Sequence, residues 1–74
     1  MPRGVPSSRL TQARVEWLEH LEANGSASRD GWHQVPYACW RNGWTRWADP
    51  KNADGREELT EEGREVLRQW RLHD

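Results

Sequence analysis

The sequence contains one cysteine, one lysine, and neither phenylalanine nor isoleucine. Because Cys39 is the only cysteine, the chain can form neither an internal disulfide nor a zinc site built on several cysteines. No apolar run is long enough to span a membrane, and the first residues lack the apolar stretch of a secretory signal. We therefore expect a cytoplasmic protein with no membrane partner.

Motifs for catalysis and for cofactors are also missing. No Ser-His-Asp or Cys-His arrangement, glycine-rich phosphate loop or placed pair of carboxylates stands out along the chain. The three histidines and Cys39 follow no metal-ligand spacing. The sequence therefore predicts no metal, no cofactor and no enzymatic activity.

Tryptophan and arginine are the residues that the chain has in abundance. Six tryptophans can build a core in a chain of 74 residues, since each removes about 150–250 Å² from water when buried. Arginine outnumbers lysine ten to one, and both arginine and tryptophan have GC-rich codons. The bias indicates a GC-rich bacterial or phage genome, which explains part of the tryptophan content without a functional cause. We expect a flexible arm over residues 1–7 and a single domain over 8–74.

Charge is distributed unevenly along the chain, although the net charge is only −1. Residues 1–14 carry three arginines and no acid, residues 29–56 have a small basic excess, and residues 57–74 are acidic. A nucleic-acid-binding protein normally carries a clear basic excess, because contacts to phosphate dominate its affinity. Any basic surface on this domain must therefore be local.

Two long helices are predicted at the ends of the domain. The first starts at the N-cap Thr11 and ends at Asn24-Gly25, with an apolar face formed by Leu10, Trp17, Leu18 and Leu21. The last starts at the N-cap Thr60 and frays near Leu72, with an apolar face formed by Val66, Leu67 and Trp70.

Between these helices, three tryptophans at positions 40, 44 and 47 have the spacing of a helical stripe. Asn42-Gly43 interrupts the stripe, and such a pair usually ends a helix. One continuous helix is the alternative, but the sequence favours a short helix over about 36–41, a strand over 44–47, a turn over 49–55 and a return strand over 56–59. In that strand Trp44 and Arg46 share one face, while Thr45 and Trp47 share the other. The fold class is then α+β, with three helices and a two-stranded β-hairpin.

The segment NGWTRWADPKNADGREELTEEGREVL resembles the wing half of winged helix-turn-helix proteins, and it is most similar to MarR-type regulators. The similarity rests on Gly43 before a first wing strand, on Asp54-Gly55-Arg56 at the wing tip, and on the Leu-Thr-x-x-Gly-Arg run from Leu59. It implies a DNA-binding or transcription-regulating module, and it gives Arg56 the role of a wing arginine that approaches the minor groove. Only 17 residues separate Gly25 from Gly43, where that family fits two helices and a strand, so we expect a truncated, phage-like version of the fold.

Four basic residues are the candidates for DNA binding because they surround the short helix and the hairpin: Arg41, Arg46, Lys51 and Arg56. The alternative is that they are solvated surface charges. Arg3 and Arg9, near the N-terminus, are further candidates for a minor groove, and the alternative is that they belong to an ordinary disordered segment.

Tryptophans divide into core and contact candidates. Four are predicted to pack in the core: Trp17, Trp40, Trp44 and Trp70. Trp47 and Trp32 are the candidates for binding a partner, because tryptophan is enriched at protein interfaces and can also stack on a single-stranded base. The alternative for Trp47 is packing at the periphery of the core. A competing function is therefore a module that binds a host or phage protein through Trp47, Trp32 and the acidic last helix. A third possibility is a homodimer that pairs through the edges of its hairpins.

Overall fold

The computed structural model of the protein describes residues 10–51 and 55–72. These residues form six elements in the order α1 (Gln12–Asn24), β1 (Ala27–Ser28), α2 (Val35–Arg41), β2 (Thr45–Trp47), β3 (Arg56–Leu59) and α3 (Glu61–Leu72). The α+β class with three helices is confirmed. The predictions for the arm over 1–7, with Arg3 and Arg9, and for Asp54 lie outside the described residues.

Helix α1 begins and ends where its capping residues predict. The Thr11 hydroxyl accepts a hydrogen bond from the Arg14 N–H at 3.2 Å, and the Gly25 N–H donates to the Leu21 carbonyl at 2.7 Å. These bonds satisfy backbone groups that a helix end leaves without partners. The predicted apolar face is confirmed, since it lies in the core with Val15: Leu10, Trp17, Leu18 and Leu21 are all buried.

The sheet has three antiparallel strands in the order β1-β3-β2, one strand more than the predicted hairpin. The added strand, β1, has two residues, and Ala27 lies opposite Glu57. Two residues are too few to show the alternation from which a strand is recognised in a sequence. The β2–β3 hairpin itself is confirmed, with Thr45 opposite Leu59 and Trp47 opposite Glu57.

Helix α2 stops before Gly43, so the tryptophan stripe is not one helix. Gly43 has a φ of +81°, a conformation that glycine adopts without steric cost, and its N–H donates to the Trp40 carbonyl at 3.0 Å. The chain then turns, and the Trp44 N–H donates to the Cys39 carbonyl at 3.0 Å. Trp44 is buried as predicted but precedes the strand, which begins at Thr45.

Helix α3 starts against the backbone that follows α2. The Thr60 hydroxyl donates to the Gly43 carbonyl at 2.6 Å and accepts from the Gly63 N–H at 3.0 Å. It therefore both caps α3 and holds the start of this helix against the turn at Gly43. Gly63 has no side chain, which lets α3 pack directly on Trp44. A Cβ at position 63 would overlap the Trp44 carbonyl oxygen and lie 3.1 Å from Leu59 Cδ2. The glycine of the Leu-Thr-x-x-Gly run is therefore required by packing.

Candidate functional site

The largest exposed aromatic group of the described chain lies on α2. Tyr37 is 48% exposed and Trp40 is 41% exposed. Their rings are stacked, with centroids 6.0 Å apart and an interplanar angle of 28°. The guanidinium carbon of Arg41 lies 6.0 Å from the centre of the Tyr37 ring, a cation–π distance. Spacings of three and four residues place the three side chains on one side of the helix.

The prediction that Trp40 is a core residue is wrong. Helix α2 has seven residues and packs inward through Pro36 and Cys39, which are three residues apart and buried. A turn of about 100° per residue carries the next side chain away from that face, so Trp40 points outward. The sequence gives little signal for this choice, because Cys39 and Trp40 are adjacent and either could face the core.

Two open grooves lie on either side of Tyr37, between the start of α1 and α2. Their volumes are about 410 Å³ and 390 Å³, and both are shallow and open to solvent. Both are lined by Arg14, Tyr37 and Ala38, and the second is also lined by Arg41. Among the described residues, neither groove has a carboxylate in its lining. We refer to Arg14, Tyr37, Trp40 and Arg41 as the α2 surface.

Carboxylates are concentrated on α1 and α3 instead. Arg71 Nη2 of α3 lies 2.7 Å from Glu22 Oε1 and 3.4 Å from Glu19 Oε2, so one arginine joins the two helices. The hydrogen bond from Arg71 lowers the pKa of Glu22. On α3, hydrogen bonds from Gln69 and then Arg68 lower the pKa of Glu65. Three of these carboxylates, Glu19, Glu22 and Glu65, are thus tied into ion pairs, while Glu62 lies close to Gly43 at the end of α2.

Two of the four predicted DNA-binding residues lie on the outer face of the sheet. Arg46 Nε lies 2.7 Å from Glu58 Oε2 on the neighbouring strand. Arg56 donates from Nε to the Ser26 hydroxyl at 3.1 Å and from Nη2 to the Ser26 carbonyl at 2.7 Å. Both guanidinium groups therefore have partners within the chain, and Arg56 holds β3 to the segment before β1.

The other two predicted residues are separate from this pair. Arg41 is exposed at the end of α2 and forms no ion pair with any residue that the structure describes. Lys51 is exposed in the turn after β2, where its backbone N–H donates to Asp49 Oδ1 at 2.9 Å. The four residues are thus not one cluster, and Arg41 is the one that belongs to the α2 surface.

The two tryptophans predicted to bind a partner are half-buried. Trp47 shares the inward face of the sheet with Thr45, and Trp44 can be buried as well because it lies before the strand and is not bound by the alternation of its faces. The guanidinium carbon of Arg29 lies 4.8 Å from the centre of the Trp47 ring and covers it. Trp32 packs on the core, 5.0 Å from the ring of Trp17. Neither side chain projects from the surface as Tyr37 and Trp40 do.

A buried carboxylate, Glu57, lies beneath this part of the sheet. Its Oε1 accepts a hydrogen bond from the Thr45 hydroxyl at 2.7 Å, and its Oε2 lies 2.5 Å from Arg29 Nε, in the geometry of an ion pair. Burial raises the pKa of Glu57, while the bond from Thr45 and the charge of Arg29 oppose the rise. The sequence carries a signal for this placement, since Glu57 is two residues before the core residue Leu59 and so lies on the same face of the strand.

Replacing Glu57 with glutamine tests this pKa. The folded-state pKa lies above the ordinary value of 4.5, so folding favours the protonated form. The resulting stabilisation is complete below the unfolded-state pKa and is lost as pH rises through the folded-state pKa. We therefore expect the free energy of unfolding of the unaltered protein, minus that of Glu57→Gln, to fall as pH rises from about 4 towards neutrality. Urea titrations across this range measure the difference, and an increase with pH contradicts the raised pKa.

Cys39 lies at the base of α2 and is completely buried. Burial raises the pKa of its thiol to about 12, so the reactive thiolate is scarcely populated. Over residues 10–51 and 55–72, no group of three or more His, Cys, Asp or Glu side chains is arranged to hold a metal ion. None of the helices within those ranges is long and apolar enough to cross a membrane.

Comparison of the chain with protein-family models, with curated proteins and with solved structures finds no match.

Proposed function

We propose that the protein is a cytoplasmic, non-enzymatic, winged-helix-like module that binds DNA through the α2 surface and regulates transcription. The observation that carries the proposal is the make-up of this surface, which combines exposed aromatic rings with arginine. No carboxylate lines the grooves beside it in the described chain. Phosphate is attracted to such a local basic surface even when the net charge of the domain is −1.

The order of the elements supports the winged-helix resemblance. Strand β1 lies between α1 and α2, in the segment where that family has a strand, and it pairs with β3 of the hairpin. Helix α2 then takes the position of the recognition helix, and the β2–β3 hairpin takes that of the wing. The segment has room for one helix rather than two, so the proposed relation is to a reduced version of the family pattern.

Arg41 is proposed as the main phosphate contact of the α2 surface. We expect Arg41→Ala to weaken DNA binding and to reduce the slope of log K against log salt by about 1, as for the loss of one phosphate contact. Fluorescence anisotropy with labelled DNA of mixed sequence, offered as duplex and as single strand, measures both effects.

Arg68→Ala is the matched control, because Arg68 is an exposed arginine that pairs with Glu65 on the acidic side of the domain. Its slope should equal that of the unaltered protein. Equal losses for Arg41→Ala and Arg68→Ala would show that binding does not use the α2 surface. If neither form of DNA binds at about 50 mM salt, the proposed function is wrong.

A second candidate function is favoured by one observation, the exposure of Tyr37 and Trp40. Exposed aromatic side chains are frequent anchors in protein interfaces. In this case the partner is a host or phage protein, with Glu61 and Glu62 at the start of α3 as further contacts, or a second copy of the chain. A pull-down from a bacterial lysate, repeated with Trp40→Ala and with Trp47→Ala, shows which tryptophan contacts the partner. If added DNA does not displace the captured protein, this function is favoured over DNA binding.

A further inference from the structure

We infer that the α2 surface binds unpaired nucleotides, whose bases stack on Trp40 and Tyr37, in preference to duplex DNA. The inference rests on the proposed function and specifies its ligand. It follows from the kinds of side chain that α2 exposes, from the arrangement of the two rings, and from the grooves beside them.

Helix α2 is poorly equipped to read the edges of paired bases. Sequence is read in the major groove by side chains such as arginine, lysine, asparagine, glutamine, serine and threonine. Of the seven residues of α2, Val-Pro-Tyr-Ala-Cys-Trp-Arg, only Arg41 belongs to that group. Asn42 follows the helix, but its side-chain amide already donates to the Ala38 carbonyl at 2.9 Å. A helix that enters a duplex with these residues would gain very little sequence discrimination.

The same helix is well equipped to hold base faces. In a duplex the faces of the bases are covered by their neighbours, whereas unpaired bases can stack on aromatic side chains. Tyr37 and Trp40 are about half exposed and lie close to parallel, at an interplanar angle of 28°. One face of each ring lies against the other ring, and the outer surfaces that remain exposed are the ones that a flexible strand can reach.

The surroundings of the rings suit the backbone of such a strand. The two grooves flank Tyr37, and Arg14 lines both of them. Arg41 lines the second groove next to the Tyr37 ring. Stacked bases on the rings would place phosphates near the Arg41 guanidinium group, the combination of aromatic surface and positive groove by which proteins hold single strands.

The test compares one labelled strand of about 12 nucleotides, free and annealed to its complement, by fluorescence anisotropy. We expect the single strand to bind about tenfold more tightly than the duplex, and Trp40→Ala to weaken single-strand binding by about tenfold. Trp40→Phe keeps a ring for stacking and should retain most of the affinity. Leu72→Ala removes a different exposed apolar side chain and should leave binding unchanged.

Circular dichroism of each variant establishes that it is folded, and Tyr37→Ala provides a second test should Trp40→Ala unfold. Strands of deoxyribonucleotides and of ribonucleotides separate the two sources of unpaired bases. Binding of the deoxyribonucleotide strand that depends on Trp40 supports the inference, whereas binding of the ribonucleotide strand alone overturns both the inference as stated and the proposed function. Duplex binding that equals or exceeds single-strand binding, with no effect of Trp40→Ala, overturns the inference and leaves the proposed function intact. Binding to neither form overturns the proposed function as well.

Discussion

Gly63→Ala is expected to lower the free energy of unfolding by about 3 kcal/mol, because the added methyl group has no space. In an exposed helix the same change is stabilising by roughly 0.5–1 kcal/mol. Here the Cβ would overlap the Trp44 carbonyl oxygen, which is backbone and is held in place by the Thr60 N–H at 3.0 Å. Helix α3 must then move away from the core, or the turn after Gly43 must shift.

Thermal and urea denaturation measure this effect. A loss of about 3 kcal/mol corresponds to a fall in Tm of roughly 15 °C for a domain of this size. Arg64→Ala, an exposed change at the next position of α3, should alter stability by less than about 0.5 kcal/mol. A Gly63→Ala variant as stable as the unaltered protein would show that α3 does not approach Trp44 so closely.

Glu57→Ala should also lower the free energy of unfolding by about 3 kcal/mol, since it removes one partner from a buried ion pair. The change leaves the Thr45 hydroxyl without its acceptor and the Arg29 guanidinium without its counter-charge. It also leaves a space behind the sheet. Because Arg29 is partly exposed, water can reach its charge, which keeps the expected loss at the lower end for buried pairs.

The neighbouring residue of the same strand provides the control. Glu58 forms an ion pair with Arg46 on the outer face, where both side chains are in contact with water. Such pairs contribute about 1 kcal/mol or less, so Glu58→Ala should be much milder than Glu57→Ala. Urea denaturation measures both variants. Equal losses of unfolding free energy would show that the Glu57 carboxylate is accessible to solvent.

Helix ends and the hairpin can be predicted from this sequence because local chemistry determines them. Thr11 and Thr60 satisfy N–H groups that any helix start leaves open, and Gly43 adopts a backbone conformation that other residues avoid. These effects need no information about the rest of the fold. Strand β1 is different, since Ala27 and Ser28 become a strand only through pairing with β3, which is distant in sequence.

The exposed site could be predicted only in part. Arg41 is recognisable as a surface cation, but the exposure of Trp40 depends on whether Cys39 or Trp40 packs against α1, and that is decided by three-dimensional fit. The predicted orientation of Trp47 follows from the burial of Trp44, but Trp44 lies before β2, so its burial does not determine which face of the strand is turned inward. Glu57 could have been recognised from its spacing to Leu59, although a buried glutamate is uncommon enough to be discounted.

The burial of Cys39 has a practical consequence for studying the protein in solution. Its thiol has a pKa of about 12 and no access to solvent, so maleimide reagents should leave the folded chain unlabelled. Since the chain has no other cysteine, a second thiol introduced at the exposed residue Gln69 would carry a fluorophore or spin label at one defined place. The native cysteine can remain, and the packing beneath α2 is left undisturbed.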